Sequence, residues 1–207
     1  MRAVLLRAFA LLLGCEESSL TSRCRGRRSD NTSLLRALIY PPVCGAAADW
    51  GVSAHTDFEL FSLLHELSPG LELQSPDGEW HRPEHGPSSS EDDSSCWVLI
   101  VGDMLERLSG GYFVATPHRV TTTDIGANAP RRSLVYFQGL DEEEAVEAVH
   151  VQVARRSTTG GYRRWCEEEV GGSRSQYTPA VTQREWTELK ESAARDRLRE
   201  RTADTNV

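Results

Sequence analysis

The sequence predicts a mainly β protein, an all-β sandwich or jelly roll with flanking N- and C-terminal helices. Three observations carry this prediction. About eight short segments rich in β-branched, aromatic and other apolar residues recur with turn signals between them. Before the tail, the one long apolar helical pattern, Leu5 to Leu12, lies at the start of the chain. The charged stretch from Thr182 to Arg201 is built from good helix formers.

In order, the opening MRAVLLRAFALLLGC reads as an amphipathic helix with Val4, Leu5, Ala8, Leu11 and Leu12 on one face. A secretory or lipid-attachment signal is the alternative, although Arg7 interrupts the apolar run. Residues 16–31, rich in Ser, Arg and Gly, form an exposed connection. Leu34 to Tyr40 is a strand that Pro41-Pro42 closes. Cys44 to Asp49 leads into the strand carrying His55 and Asp57, and Phe58 to Leu67 reads as a core strand. Leu71 to Gln74, the turn Ser75-Pro76-Asp77-Gly78 and Glu79-Trp80 make a hairpin. Residues 81–95 hold Pro, Ser, His and acid with almost nothing to bury, the composition of a disordered insertion.

Trp97 to Val101 is the most hydrophobic run and reads as a buried strand; Asp103 caps a short helix that Gly110-Gly111 ends. Tyr112 to Thr116 and His118 to Thr122 are strand-like on both sides of Pro117. Ala127 to Pro130 is a turn, Ser133 to Phe137 another strand, and Ala145 to Val153 a strand that closes the core. Ser157 to Ser175 is Gly- and Arg-rich, and Thr182 with Glu185 fits a capping box at the start of a polar surface helix.

Composition narrows the function classes. The net charge of −8 argues against a general nucleic-acid binder, which carries a basic patch on a basic domain. Lys190 is the only lysine, so there is no Gly-Lys-Ser/Thr phosphate loop. Five scattered cysteines without a Cys-x-x-Cys pair read as free thiols in a reducing compartment, hence a cytoplasmic location. No stretch approaches the roughly 18 apolar residues of a membrane span, so no membrane partner is expected. With 39% hydrophobic residues, the 207-residue chain suits a core with appendages.

One constellation carries chemistry. On a strand, positions i and i+2 share a face, so His55 and Asp57 project into the same space. With His118 from a later strand they form two histidines and a carboxylate, a facial triad suited to non-heme Fe(II). Taken singly, each of these residues has an ordinary structural explanation. His65 and His150 have no evident chemical role, and Pro83 and Gly86 argue against a helical His81/His85 metal pair.

His55-Thr56-Asp57, Gly102-Asp103-Met104-Leu105, Thr116-Pro117-His118-Arg119-Val120 and Arg131-Arg132-Ser133 resemble, in order and spacing, the 2-oxoglutarate/Fe(II)-dependent dioxygenases of the isopenicillin N synthase-like type. The resemblance runs from about Leu34 to Gly139. It implies a double-stranded β-helix (jelly roll) with His55, Asp57 and His118 as iron ligands. It places Arg131, Ser133 and Tyr40 on the distal carboxylate and body of 2-oxoglutarate, with Arg132 as the gripping residue if the register slips by one. Leu38 stands where the family often has Asn. The implied cofactors are Fe(II), 2-oxoglutarate and O2, and no catalytic residue is implied beyond the metal centre. The implied reaction is hydroxylation, desaturation or cyclisation of a small molecule with release of succinate and CO2. Two alternatives remain: a truncated, metal-binding protein without turnover, and an oxidase that needs no 2-oxoglutarate. The resulting layout is a helix and linker at 1–32, the jelly roll at 33–140, and a partly helical extension at 141–207.

Overall fold

The extended, apolar-rich segments pair into two antiparallel four-stranded sheets. The computed structural model describes residues 1–25, 31–41, 50–83, 96–121, 130–148 and 180–204. One sheet runs in the order β1 (Leu34–Tyr40), β8 (Arg131–Gln138), β3 (Phe61–Glu66) and β6 (Val98–Val101). The other runs β2 (Trp50–His55), β7 (His118–Thr121), β4 (Leu71–Gln74) and β5 (Trp80–His81). Most sheet neighbours are distant in sequence, as in a jelly roll, and β4–β5 is the expected hairpin. A short ribbon pairs β9 (Ala145–Val146) with β10 (Val181–Thr182). The helices are α1 (Arg2–Leu12), α2 (Ser19–Ser22), α3 (Asp103–Leu108) and α4 (Gln183–Asp204).

Apolar packing fixes α1 onto β3 and α3. Leu6, Phe9, Ala10 and Leu13 from α1 and the turn after it join Phe61, Met104, Leu105, Leu108 and Leu140 in one buried cluster. Each of the Leu, Phe and Met side chains contributes about 1.5–3 kcal/mol by leaving water. The buried face of α1 is not the predicted one, since Val4, Ala8, Leu11 and Leu12 face outward. The helix is apolar almost all round, so its period could not select a face; Phe9, 5.5 Å from the Phe61 ring and 5.2 Å from Phe113, does so by shape.

Further expectations change: the 16–31 connection holds α2 with Leu20 and Cys24 buried, and the Trp97–Val101 run is buried only in part, with Trp97 and Leu99 exposed. Asp103 does not cap α3: extended Gly102 is the N-cap, and the Asp103 side chain instead accepts from Trp186 and Lys190. Tyr112 to Thr116 forms no strand, because the Ser109 hydroxyl accepts the Phe113 amide at 3.0 Å and holds that backbone to the helix end. The core strand expected from Phe58 begins at Phe61, since residues 58–60 bend.

The polar C-terminal helix forms with its capping box: Thr182 N donates to Glu185 Oε2 at 2.8 Å and Glu185 N to Thr182 Oγ1 at 3.1 Å. Yet α4 is no free surface helix, because Gln183 and Lys190 are buried against the segment after β2 and, for Lys190, against α3. His81 lies in β5. Residues 84–95 of the expected insertion, the Ala127 turn up to position 129, the 149–153 part of the closing strand and the 157–175 segment lie outside the described residues.

Candidate metal centre

Strand pairing brings the two histidines together. In the β2–β7 ladder His55 stands directly opposite His118, and the two imidazoles lie 4.3 Å apart by ring centroid. Asp57 comes from a different cause than the period-2 argument supposes, since β2 ends at His55. The segment after it turns back over α3, with Asp103 N donating to Asp57 O at 2.9 Å and Met104 N to Glu59 O at 3.2 Å. Gly102 makes this possible; any side chain there would collide with the Glu59 carbonyl.

Hydrogen bonds then aim the ligand atoms. His55 Nδ1 lies 2.9 Å from Ser53 O and His118 Nδ1 lies 3.0 Å from Thr116 O. A carbonyl can only accept, so each Nδ1 donates and each Nε2 is the ring nitrogen left to face an ion. Each Nε2 faces the same carboxylate oxygen: Asp57 Oδ1 is 3.7 Å from His55 Nε2 and 3.6 Å from His118 Nε2. Both separations fall inside the ~4 Å that two metal–ligand bonds of about 2 Å can span. The other oxygen, Asp57 Oδ2, accepts from buried Ser62 Oγ, which leaves Oδ1 for the ion.

Among the described residues, this trio is the one group of His, Cys, Asp and Glu side chains placed to hold a metal ion. Burial, then the adjacent His118, hold the His55 imidazole down at about 4, against the opposite pull of Asp57. His55 is therefore neutral at physiological pH, the form that ligates. Donor set, tautomers and convergence all fit a divalent ion of the Fe(II) kind.

The predicted cosubstrate residues gather in the other sheet. Tyr40 is the register partner of Arg131, whose guanidinium lies 5.2 Å from the Tyr40 ring. Arg131 Nη1 donates to Ser133 Oγ at 3.3 Å, and both residues are buried. Arg132 points to the opposite, exposed side. Sequence reasoning missed Glu66, whose Oε1 accepts from Arg131 Nη2 at 2.9 Å and from Leu71 N at 2.8 Å.

A pocket of about 260 Å³ opens onto His55 and Asp57, walled by Phe58, Phe137, Arg36 and Glu59 and bordered by Thr187 and Glu191 of α4. Burial, then Asp57, push the Glu59 carboxyl up to about 7. The pocket-lining roles of Arg36, Glu59 and α4 were also missed. Their signal is spatial, since these residues sit on three separate elements.

Comparison with known proteins agrees with this architecture. The model of the 2OG-Fe(II) oxygenase superfamily matches residues 30–139. Gibberellin 2-beta-dioxygenase 2 of Oryza sativa subsp. japonica is 32% identical over 61% of this chain and 37% of its own length. Clavatol oxidase of Penicillium crustosum is 34% identical over 62% of this chain and 41% of its own. The chain thus spans less than half the length of these two relatives. A 2OG-Fe(II) oxygenase family structure from Caulobacter crescentus superposes with a TM-score of 0.65 at 27% identity, covering 97% of this chain and 54% of that one. The jelly roll, the His-Asp-His centre and these matches together place the chain in the 2OG-Fe(II) oxygenase superfamily.

Proposed function

We propose that this chain carries the catalytic domain of an Fe(II)- and 2-oxoglutarate-dependent dioxygenase of the isopenicillin N synthase-like type, acting on a small organic molecule. The observation that carries the proposal is the convergence of His55 Nε2, His118 Nε2 and Asp57 Oδ1, with both imidazole tautomers set for ligation. Bound there with 2-oxoglutarate, Fe(II) supplies the activation of O2 that oxidises a substrate, with release of succinate and CO2. The chain's own residues hold and orient. His55, Asp57 and His118 would ligate the ion and leave half its coordination sphere open. Arg131 would grip the distal carboxylate of 2-oxoglutarate by charge-assisted bonds, with Ser133 and Tyr40 beside it.

Phe58 and Phe137 give the pocket apolar wall beside the ionisable Arg36, Glu59 and Glu191. Residues 33–140 hold every one of these ligands, while 1–32 and 141–207 supply α1 and α4 as supports. No helix of the described residues is long and apolar enough to cross a membrane. A cytoplasmic location fits the free thiols of Cys15, Cys24 and Cys96.

The test is spectroscopic. Anaerobic addition of Fe(II) and 2-oxoglutarate to the folded chain should give a weak visible metal-to-ligand charge-transfer band, and its absence would sink the proposal. A second reading, metal binding without turnover, draws on the apolar surface left open on α1 and β1, where Val4 is 66%, Leu35 59% and Ile39 69% exposed. A charge-transfer band without oxygen-dependent succinate would favour it. Turnover without added 2-oxoglutarate would favour the third reading, an oxidase that dispenses with the cosubstrate.

A further inference from the structure

We propose that Lys190 of α4 is a positioning residue of the metal centre, acting through Thr56 on the loop that carries Asp57. Lys190, the only lysine of the chain, is 9% exposed. Its Nζ lies 3.0 Å from Asp103 Oδ2 and donates to Thr56 Oγ1 at 3.2 Å. Thr56 sits between the two ligands His55 and Asp57, and is itself 3% exposed.

The same helix takes hold on the other side of Asp57. Gln183 Nε2 donates to Phe58 O at 3.2 Å, and Trp186 Nε1 donates to Asp103 Oδ2 at 3.0 Å. Asp103 in turn donates its amide to the Asp57 carbonyl at 2.9 Å. Three successive residues, Thr56, Asp57 and Phe58, are therefore tied down by α4 or by the aspartate that α4 grips. This restraint matters because Asp57 lies beyond the end of β2, where no ladder hydrogen bond fixes its direction.

A purely structural role is a poor account of this arrangement. Burying an ammonium and a carboxylate costs desolvation that their attraction offsets only in part, and apolar side chains of similar volume often serve stability as well. What an apolar side chain cannot do is hold the Thr56 hydroxyl. Groups that orient a metal ligand without touching the ion typically set its affinity by about 10–100-fold.

The inference rests on the metal-centre reading, and Co(II) alone, followed by its visible absorption, probes both without turnover. The variants are Thr56→Val, which keeps shape and leaves the Lys190–Asp103 pair intact, Lys190→Met, and the two combined. Each single variant should weaken Co(II) binding by about tenfold. The double variant should be no weaker than either single one, because both remove the same contact. Wild-type affinity in Thr56→Val, or shifts that multiply to about a hundredfold in the double variant, overturns the positioning role and leaves the metal centre standing. Should Lys190→Met not fold, Thr56→Val decides alone by the same criterion. A wild-type chain that takes up no Co(II) overturns the metal centre, and the role of Lys190 with it.

Discussion

The two candidate halves of the active site differ in what they lack. At the metal centre two imidazole nitrogens and a carboxylate oxygen face one another across 3.6 and 3.7 Å, with no hydrogen bond among them. At the proposed cosubstrate clamp the Arg131 guanidinium already meets a carboxylate, Glu66, at 2.9 Å, with side chains 0% and 4% exposed. The first half is completed only by an added cation. The second is charge-balanced within the protein, so a bound dicarboxylate must join or displace Glu66. The difference assigns separate tasks: the metal centre couples ligand to stability, while the clamp is part of the fold before any ligand arrives.

The largest expected effect breaks the first half. Asp57→Ala removes the oxygen that both histidines face and should abolish metal binding. In the wild-type chain, an ion at a hundred times its dissociation constant should add about 2.7 kcal/mol of stability. Thermal unfolding with and without Co(II) reads both: a rise in Tm for the wild type and none for the variant. A metal-induced rise that persists in Asp57→Ala would place the ion elsewhere.

Arg131 tests the second half. Arg131→Ala leaves the Glu66 carboxylate buried without its partner, which should cost about 3–5 kcal/mol with or without cosubstrate. Loss of the charge-assisted bonds should also raise the 2-oxoglutarate requirement, by about 10–100-fold. The double variant Arg131→Met with Glu66→Gln separates these effects. It removes both charges while the Gln oxygen still accepts the Leu71 amide, so stability should recover and cosubstrate affinity should not. Recovery of both would show that Arg131 serves only the fold, and an unchanged requirement in Arg131→Ala would turn attention to Arg132.

What the sequence made legible follows the same division. His55, Asp57, Tyr40, Arg131 and Ser133 stand in short patterns whose neighbours along the chain are also neighbours in space. The strand period correctly puts Arg131 and Ser133 on one face, with Arg132 on the other. It reaches Asp57 for the wrong reason, since the strand ends two residues earlier. The partners that finish each half were not legible. Glu66 lies 65 residues from Arg131, and Lys190 lies 134 residues from Thr56. Neither stands in a periodic pattern that marks it, because pairing Glu66 of β3 with Arg131 of the neighbouring β8, or Lys190 of α4 with Thr56, depends on topology alone. The same limit hid the buried face of α1, where nearly uniform hydrophobicity left shape to decide.

Gly70 joins the two halves and offers the smallest of these effects. Its φ of +136° suits glycine, and an added Cβ would stand 2.6 Å from Thr121 O and 2.9 Å from Arg131 Nε. Thr121 belongs to the strand that begins with His118, and its amide donates to Gly70 O at 2.8 Å. The Thr121 contact is to backbone and cannot be relieved by a rotamer change, and the fully buried Arg131 has little room to retreat. Gly70→Ala should therefore cost about 2–4 kcal/mol, combining backbone strain with overpacking. Because the intruding methyl presses on both halves, Co(II) affinity and 2-oxoglutarate affinity should fall together. A loss of Tm with both affinities intact would show that the two halves are mechanically independent, and that the jelly roll holds each by its own contacts.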